Sequence, residues 1–389
     1  MSTNEDERHQ GLAVTSQAMY ATTHDEPPPD APPEQRLSWQ LRVQADACQV
    51  LGSPLYAHLL RATADDVLAD GPSVAVLSPH AGSGRADALA LRLMAAVHRL
   101  VLSGEAPALA AHYPSVGGDG DPEPAWPAFR DLLASEPGRI TELIGRPCQT
   151  NEVGRCAALS WGLLQTADTT GLPLRLLEVG TSAGLLLRFE HYRYGGAGAA
   201  WGPEDSEVDL DGFWAQPPPT GTDVEVRVAE RAGCDPAPVD PTSEEGLLAL
   251  RSAVWADQVQ RLARLDGAVA IARRVPAEVT AASVEDWLPP RLAEPVEGAA
   301  TVVYHSVVEE YLDVDQRRLL HETVRAAGAR ASATAPLAWL RLEPISRLRQ
   351  HGVSLTTWPG SGPDAADGDE RVLAVCGGHG TEVRRPPTD

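Results

Sequence analysis

The chain contains no lysine; all 32 of its basic residues are arginine. A reactive amine is thereby missing, which excludes Schiff-base and pyridoxal phosphate chemistry. P-loop hydrolases and protein kinases are excluded too, because each places a lysine on the nucleotide phosphates. Cysteine is scarce: Cys48, Cys148, Cys156, Cys234 and Cys376 are odd in number and widely spread. They form no C-x-x-C pair and no Cys/His cluster with zinc spacing, so we expect reduced, mostly buried thiols and no metal. No apolar run approaches the roughly 18 residues of a membrane span. The start of the chain lacks the basic residues and apolar stretch of a secretory signal, which suggests a cytoplasmic protein.

Positive charge is also in short supply. Acidic residues number 54, giving a net charge of -22. Such a surface repels phosphate backbones and anionic lipid, so neither nucleic acid nor membrane is expected as a partner. A small-molecule substrate is the remaining natural class.

What is present is an ordinary globular composition, 43% hydrophobic and 22% charged over 389 residues. That length suggests two packed units. Residues 1–34, with the proline-rich run Asp25–Glu34, read as a disordered tail. Residues 35–170 read as helical: Ala45–Leu60, Asp87–Leu102 and Trp126–Ser135 carry apolar residues at helical spacing, and a further run follows Arg155. From residue 171 to 389 short strands alternate with helical stretches. The strand-like runs are Leu174–Gly180, Val224–Ala229, Val275–Thr280, Thr301–Tyr304, Leu337–Leu342, Val353–Trp358 and Arg371–Cys376. Leu247–Leu265 and Val314–Ala327 read as helices. This predicts an α/β, Rossmann-like doubly wound sheet with an antiparallel edge, preceded by an all-helical N-terminal domain.

Four segments carry candidate chemistry. Glu178-Val-Gly180-Thr-Ser182-Ala-Gly184 reads as strand, tight turn and helix, where glycine lets a ligand approach and the helix would direct free N–H groups toward it. Its plainer reading is a tight turn that only packs on the sheet. An acid after the second strand would accept from ribose hydroxyls, and Glu230 is the candidate. The intervening loop offers Tyr194 and Trp201 as aromatic walls for a pocket, or as a flap folded on itself.

In Tyr304-His-Ser-Val-Val-Glu-Glu-Tyr311, a strand would deliver His305 and Ser306 to its carboxyl end. Ser306 with Glu309 also fits a helix capping box, which would turn Glu310 about 100° away from Glu309. One of His305, Glu309 and Glu310 could serve as a general base. Gln149-Thr-Asn151-Glu152, followed by Arg155, makes either a helix cap or a polar recognition edge, and Arg155 could hold a carboxylate.

Together the runs QTNEVGR, LLEVGTSAGL, ER-x-GCDPAPVD, VWADQ, VVYHSVV-x-x-YL, PLAWLRLEP and a closing HG resemble an actinobacterial family catalogued only as a domain of unknown function, over roughly residues 40 to 385. That family is itself similar to class I S-adenosylmethionine-dependent methyltransferases. The resemblance implies a Rossmann-like methyltransferase-type sheet in which the glycine turn holds the methionine part of the cofactor and the acid after the second strand its ribose. On that basis Glu178, Gly180, Ser182, Gly184 and Glu230 would bind cofactor. Asn151, Glu152, Arg155, Tyr194, Trp201 and Ser306 would contact substrate. Leu186 stands where that family usually has Asn, and Glu309-Glu310 where it usually has uncharged residues.

Three functions follow as expectations. The first is methyl transfer to a small molecule in secondary metabolism, with His305 or Glu310 taking the acceptor's proton. The second discards the donor: a Glu base deprotonates an amine that closes a strained ring within a cationic substrate, as in an aziridine. The third is a non-enzymatic scaffold that docks a partner through its helical half.

Overall fold

The computed structural model describes residues 24, 27, 28, 30–82, 88–146, 148–345, 350–360 and 367–387. Most of the expected tail lies outside these. The first half is helical throughout: α1 (Pro33–Val50), α2 (Pro54–Leu68), α3 (Pro72–Leu77), α4 (Leu89–Leu102), α5 (Pro107–Ala110), α6 (Pro122–Ser135) and α7 (Pro137–Ile144). Their buried stripes, among them Leu55, Leu59, Leu93, Val97, Phe129 and Ile140, share one core. The single helix expected over Ala45–Leu60 is in fact two. Gly52 adopts φ +82, which ends α1, and Pro54, with no N–H to donate, begins α2.

The second half is built on a seven-stranded sheet. In chain order its elements are α8 (Cys156–Thr170), β1 (Leu174–Val179), a small three-stranded sheet of β2 (Arg193–Gly196), β3 (Ala199–Trp201) and β4 (Asp209–Leu210), then β5 (Val228–Asp235), α9 (Glu244–Ala253), α10 (Val259–Ala272), β6 (Glu278–Ala281), α11 (Val284–Arg291), β7 (Ala300–Ser306), α12 (Val314–Gly328), β8 (Leu337–Ile345), β9 (Gln350–Trp358) and β10 (Asp369–Cys376). The strand order is β10-β9-β8-β7-β1-β5-β6. β6, β5, β1, β7 and β8 pair in parallel, while β9 and β10 continue as an antiparallel meander at one edge. The fold is thus mixed α/β with a mostly parallel sheet and the antiparallel edge that the closely spaced late strands suggest.

Strand parity sorts the two faces of the sheet. Leu174, Leu176, Val302, Tyr304, Ala338 and Leu340 pack under α8 and α10. Leu177, Val179, Val303 and Trp339 pack under α11 and α12. α8 belongs to this core although it precedes residue 171. In return, Trp255 and Ala256, between α9 and α10, pack into the helical core. That same loop splits the helix expected over Leu247–Leu265. Asp257 on it accepts from the Ser53 hydroxyl at 2.5 Å and from Leu55 N–H at 3.1 Å, satisfying one of the orphan amides at the start of α2.

Four further expectations change. The strand expected at Val224–Ala229 lies at 228–235, and the one at Val275–Thr280 is four residues, Glu278–Ala281. No α-helix follows Gly184: residues Leu185–His191 form 3-10 turns kinked at Arg188. No capping box forms at Ser306 and Glu309. A turn occupies 309–311, and the helix starts at Val314 with a capping box made by Asp313 and Gln316. No helix among the described residues is long and apolar enough to cross a membrane.

Candidate functional site

The carboxyl ends of β1, β5 and β7 face the helical half across a cleft of about 510 Å³. Its floor is Val179 of β1 with Gly180 and Ser182 just beyond it, Cys234 and Asp235 of β5, and Ser306 of β7 with Val307 and Val308 just beyond it. Leu91 and Arg92 of α4, the segment Cys148–Thr150, Arg155, Tyr311 and Gln316 complete the wall. β1 leads to β5 on one side, while the chain returns after β6 to β7 on the other. That reversal is the switch point at which open α/β sheets leave a crevice.

The turn after β1 is closed by the protein's own acceptors. Gly180 and Thr181 donate to the Cys234 carbonyl at 2.9 and 3.0 Å, and Gly184 donates to the Thr181 carbonyl at 2.7 Å. Ser182 N–H donates to Asp235 Oδ2 at 3.0 Å, and Leu185 N–H to Asn151 Oδ1 at 2.9 Å. The expected free amides therefore do not exist at these positions. Gly180 adopts φ +68, and a Cβ there would meet Val308 Cγ2 at 2.5 Å. Ser182 holds φ +52, unusual for a side-chain-bearing residue. Its hydroxyl is buried on the cleft wall without a hydrogen-bond partner among the described residues.

At the end of β7, Val307 adopts φ +56, a strained conformation for a β-branched residue. Glu343 of β8 holds this bend: Oε1 accepts Val308 N–H at 2.9 Å and pairs with His305 Nδ1 at 2.7 Å. His305 itself is 0% exposed and does not line the cleft. It shares parity with Val303, so it points beneath α12 toward Trp339 rather than forward. Glu309 also lies off the cleft, accepting from His321 Nε2 at 3.2 Å. Burial would raise its carboxyl, yet the His321 bond and the His305, His321 and Arg341 charges hold it down at about 2. Glu310, on the same turn, lies beside the Tyr311 phenol and is not part of the wall.

The other expected residues divide in the same way. Glu178 points under α8, accepting Thr181 Oγ at 2.6 Å and Tyr304 Oη at 3.3 Å. Burial pushes it up to about 8 against the pull of those two donors and Arg188, so it stays protonated at neutral pH. Gly184 sits off the cleft against Val279 and Leu187. Glu230 lies near the start of β5, far from its carboxyl end, and pairs with Arg175 at 2.7 Å and Arg291 at 2.9 Å. Tyr194 and Trp201 pack on Phe189 and on each other, with Tyr194 Oη bonded to Phe189 O and Trp201 Nε1 to Val224 O. Asn151 buttresses the turn, and Glu152 forms a buried ion pair with Arg261 Nε at 2.6 Å. Gly180, Ser182, Arg155 and Ser306 reach the cleft.

Asp235 is a cleft-lining acid not singled out in the sequence. It ends β5 at the place where a ribose-binding acid belongs. The signal was the run Ala232-Gly-Cys-Asp235, apolar residues ending in an acid before proline. Cys148 is the other omission. It is a free, half-buried thiol in the wall, which burial pushes up to about 11 although Thr150 and Arg92 pull the other way. Among the described residues no group of three His, Cys, Asp or Glu side chains could hold a metal ion.

The family model described as "Uncharacterized protein conserved in bacteria (DUF2332)" matches residues 39–385, and the chain belongs to that family. No curated protein and no solved structure matches the chain.

Proposed function

We propose that this member of the family binds S-adenosylmethionine in the cleft and transfers its methyl group to a small molecule held beside it. The observation that carries the reading is the juxtaposition of Gly180, Ser182 and Asp235 at the tips of β1 and β5 with Ser306–Val308 at the tip of β7, around one cleft. The order of the sheet supports a Rossmann-like methyltransferase-type fold. Counted along the chain, its seven strands run 3-2-1-4-5-6-7; the first six places match the doubly wound dinucleotide-binding order, the sixth strand being antiparallel here.

The residues fit the cofactor at two points. The buried Ser182 hydroxyl lacks, among the described residues, a partner that a polar ligand would supply, and the missing Cβ of Gly180 keeps the tip of β1 open. Asp235 Oδ1 accepts from Ala237 N–H and from Gln149 Nε2, while Oδ2 accepts only Ser182 N–H among the described residues, so acceptor capacity remains on Oδ2 for a hydroxyl group. The turn amides bonded internally are not available to a pyrophosphate, which favours a phosphate-free nucleoside over a dinucleotide. When bound, the cofactor supplies an activated methyl group.

The chain's own contribution is then positioning. Among the described residues the cleft wall holds no histidine, and burial keeps both of its thiols, Cys148 and Cys234, protonated at neutral pH. A reaction driven chiefly by alignment of two bound partners suits such a wall, since well-placed reactants alone recover much of a barrier. Donor-free ring closure by a Glu base is less well supported: Glu309 is bonded to His321 away from the cleft, and its depressed pKa makes it a weak base. The test is mass spectrometry of small molecules released from purified protein. S-adenosylmethionine or S-adenosylhomocysteine at near-stoichiometric amounts is expected; a different nucleotide in their place would overturn the reading.

A further inference from the structure

We infer that the β7 end of the cleft is an anion subsite in which Arg155 anchors a carboxylate of the acceptor substrate, an inference that rests on the methyl-transfer reading for the word acceptor alone. Arg155 lies in the wall immediately before α8. Nε donates to the Gly378 carbonyl at 3.2 Å and Nη1 to the Ser306 carbonyl at 3.2 Å. Those two bonds fix the guanidinium between the tip of β7 and the loop after β10, and leave the donors on Nη2 without a protein acceptor among the described residues. A guanidinium bonds carboxylates through such a fork, with two N–H groups side by side.

Arg155 also makes no ion pair among the described residues. This is notable in a chain with 54 acidic residues. Glu152, three residues away, is already bonded to Arg261. Helix stability does not explain the cation either, because the N-terminal end of a helix dipole disfavours positive charge. The Arg155 charge helps hold the Glu152 carboxyl down, but that carboxylate is bonded to Arg261, and a ligand anion on the open fork would give Arg155 a direct partner.

A second polar group points to a ligand in the same cleft. Ser182, 4% exposed, presents its unpartnered hydroxyl from the β1 side. Ser182 and Asp235 define one end of the cleft over β1 and β5, and Arg155 with Ser306 defines the other. Two chemically different ends fit two ligand parts: a nucleoside over β1 and β5, and an anion over β7. An acceptor of this class departs from the cationic substrate suggested by the overall charge, because the local field at Arg155 is opposite in sign to the surface.

The experiment measures binding of small carboxylic acids, each matched with its own primary amide, to the full chain by saturation-transfer NMR. S-adenosylhomocysteine is titrated separately. The acids should bind at least about fivefold tighter than their amides, and Arg155→Gln should weaken the acids about tenfold while leaving the amides and S-adenosylhomocysteine unmoved. Arg155→Lys, which keeps the charge without the fork, should fall between. Indistinguishable acids and amides on the unmodified chain would overturn the proposal without recourse to a variant. Parallel loss of S-adenosylhomocysteine and acids in Arg155→Gln would overturn it too, by assigning the carboxylate to the donor. An acid preference that persists without any S-adenosylhomocysteine binding would keep the anion subsite and remove the methyl-transfer reading.

Discussion

The Asp235 carboxylate accepts the Ser182 N–H at 3.0 Å, tying the tip of β5 to the turn that leaves β1. Through its other oxygen it accepts Ala237 N–H at 2.9 Å, so one side chain fixes both loops on this side of the cleft. Ser182 depends on that bond more than most residues would, because its φ of +52 is disfavoured by its own side chain. Asp235→Ala should therefore destabilise the fold by about 1–3 kcal/mol, the cost of orphaning buried donors, and should weaken nucleoside binding further. Urea titration of both proteins checks the first part. A variant as stable as the parent would show that the turn holds itself.

Gly180 tests the same turn from the ligand's side. At φ +68 an alanine pays about 1–2 kcal/mol of backbone strain, and its methyl group would press on Val308. Gly180→Ala should lower the melting temperature by several degrees and push Val308 toward the cleft. Loss of ligand binding greater than loss of stability, read by calorimetry and thermal melting on one preparation, is the expected pattern.

Much of this was written in the chain, though unevenly. β1, β7 and the first half of β8 announce themselves because they are buried on both faces and read as mostly apolar runs. β5 does not: its first half carries Glu230 and Arg231, which are neutralised by Arg175 and Arg291 and by Glu190, partners distant in sequence. That displaced the expected strand and with it the acid, so Glu230 stood in for Asp235. His305 was misplaced by a single step of strand parity. Reaching the strand's end is legible in sequence, but which of two adjacent side chains turns toward a cleft depends on what packs behind, here Trp339 and α12. Arg155 was legible because a polar run interrupts apolar helices.

Glu178 makes stability depend on pH in an unusual direction. Its carboxyl is raised to about 8 in the fold by burial and returns to the ordinary range when the chain unfolds. Between about 4.5 and 8 the folded state therefore binds a proton that the unfolded state has released, and stability falls as pH rises, by up to about 1.4 kcal/mol per pH unit from this group. Glu178→Gln, which mimics the protonated form, should match the parent near pH 4 and exceed it near pH 8. Parallel stability curves across that range would contradict the assignment.

Cys148 should report on occupancy of the cleft. It lines the wall half-buried, whereas Cys48, Cys156, Cys234 and Cys376 are buried. Iodoacetamide should modify Cys148 first, slowly at pH 7 because its thiol is pushed up to about 11, and faster as pH rises. Peptide mapping with and without S-adenosylhomocysteine should show protection of this cysteine. Equal labelling under both conditions would place the ligand elsewhere.

The most direct test is calorimetric titration of ligand-stripped protein with S-adenosylhomocysteine, run beside Asp235→Ala. The predicted result is one site per chain, a negative heat-capacity change from apolar burial, and affinity about tenfold weaker in the variant. Saturable binding that Asp235→Ala leaves untouched, or no binding heat at several temperatures, would contradict a nucleoside site at the tips of β1 and β5.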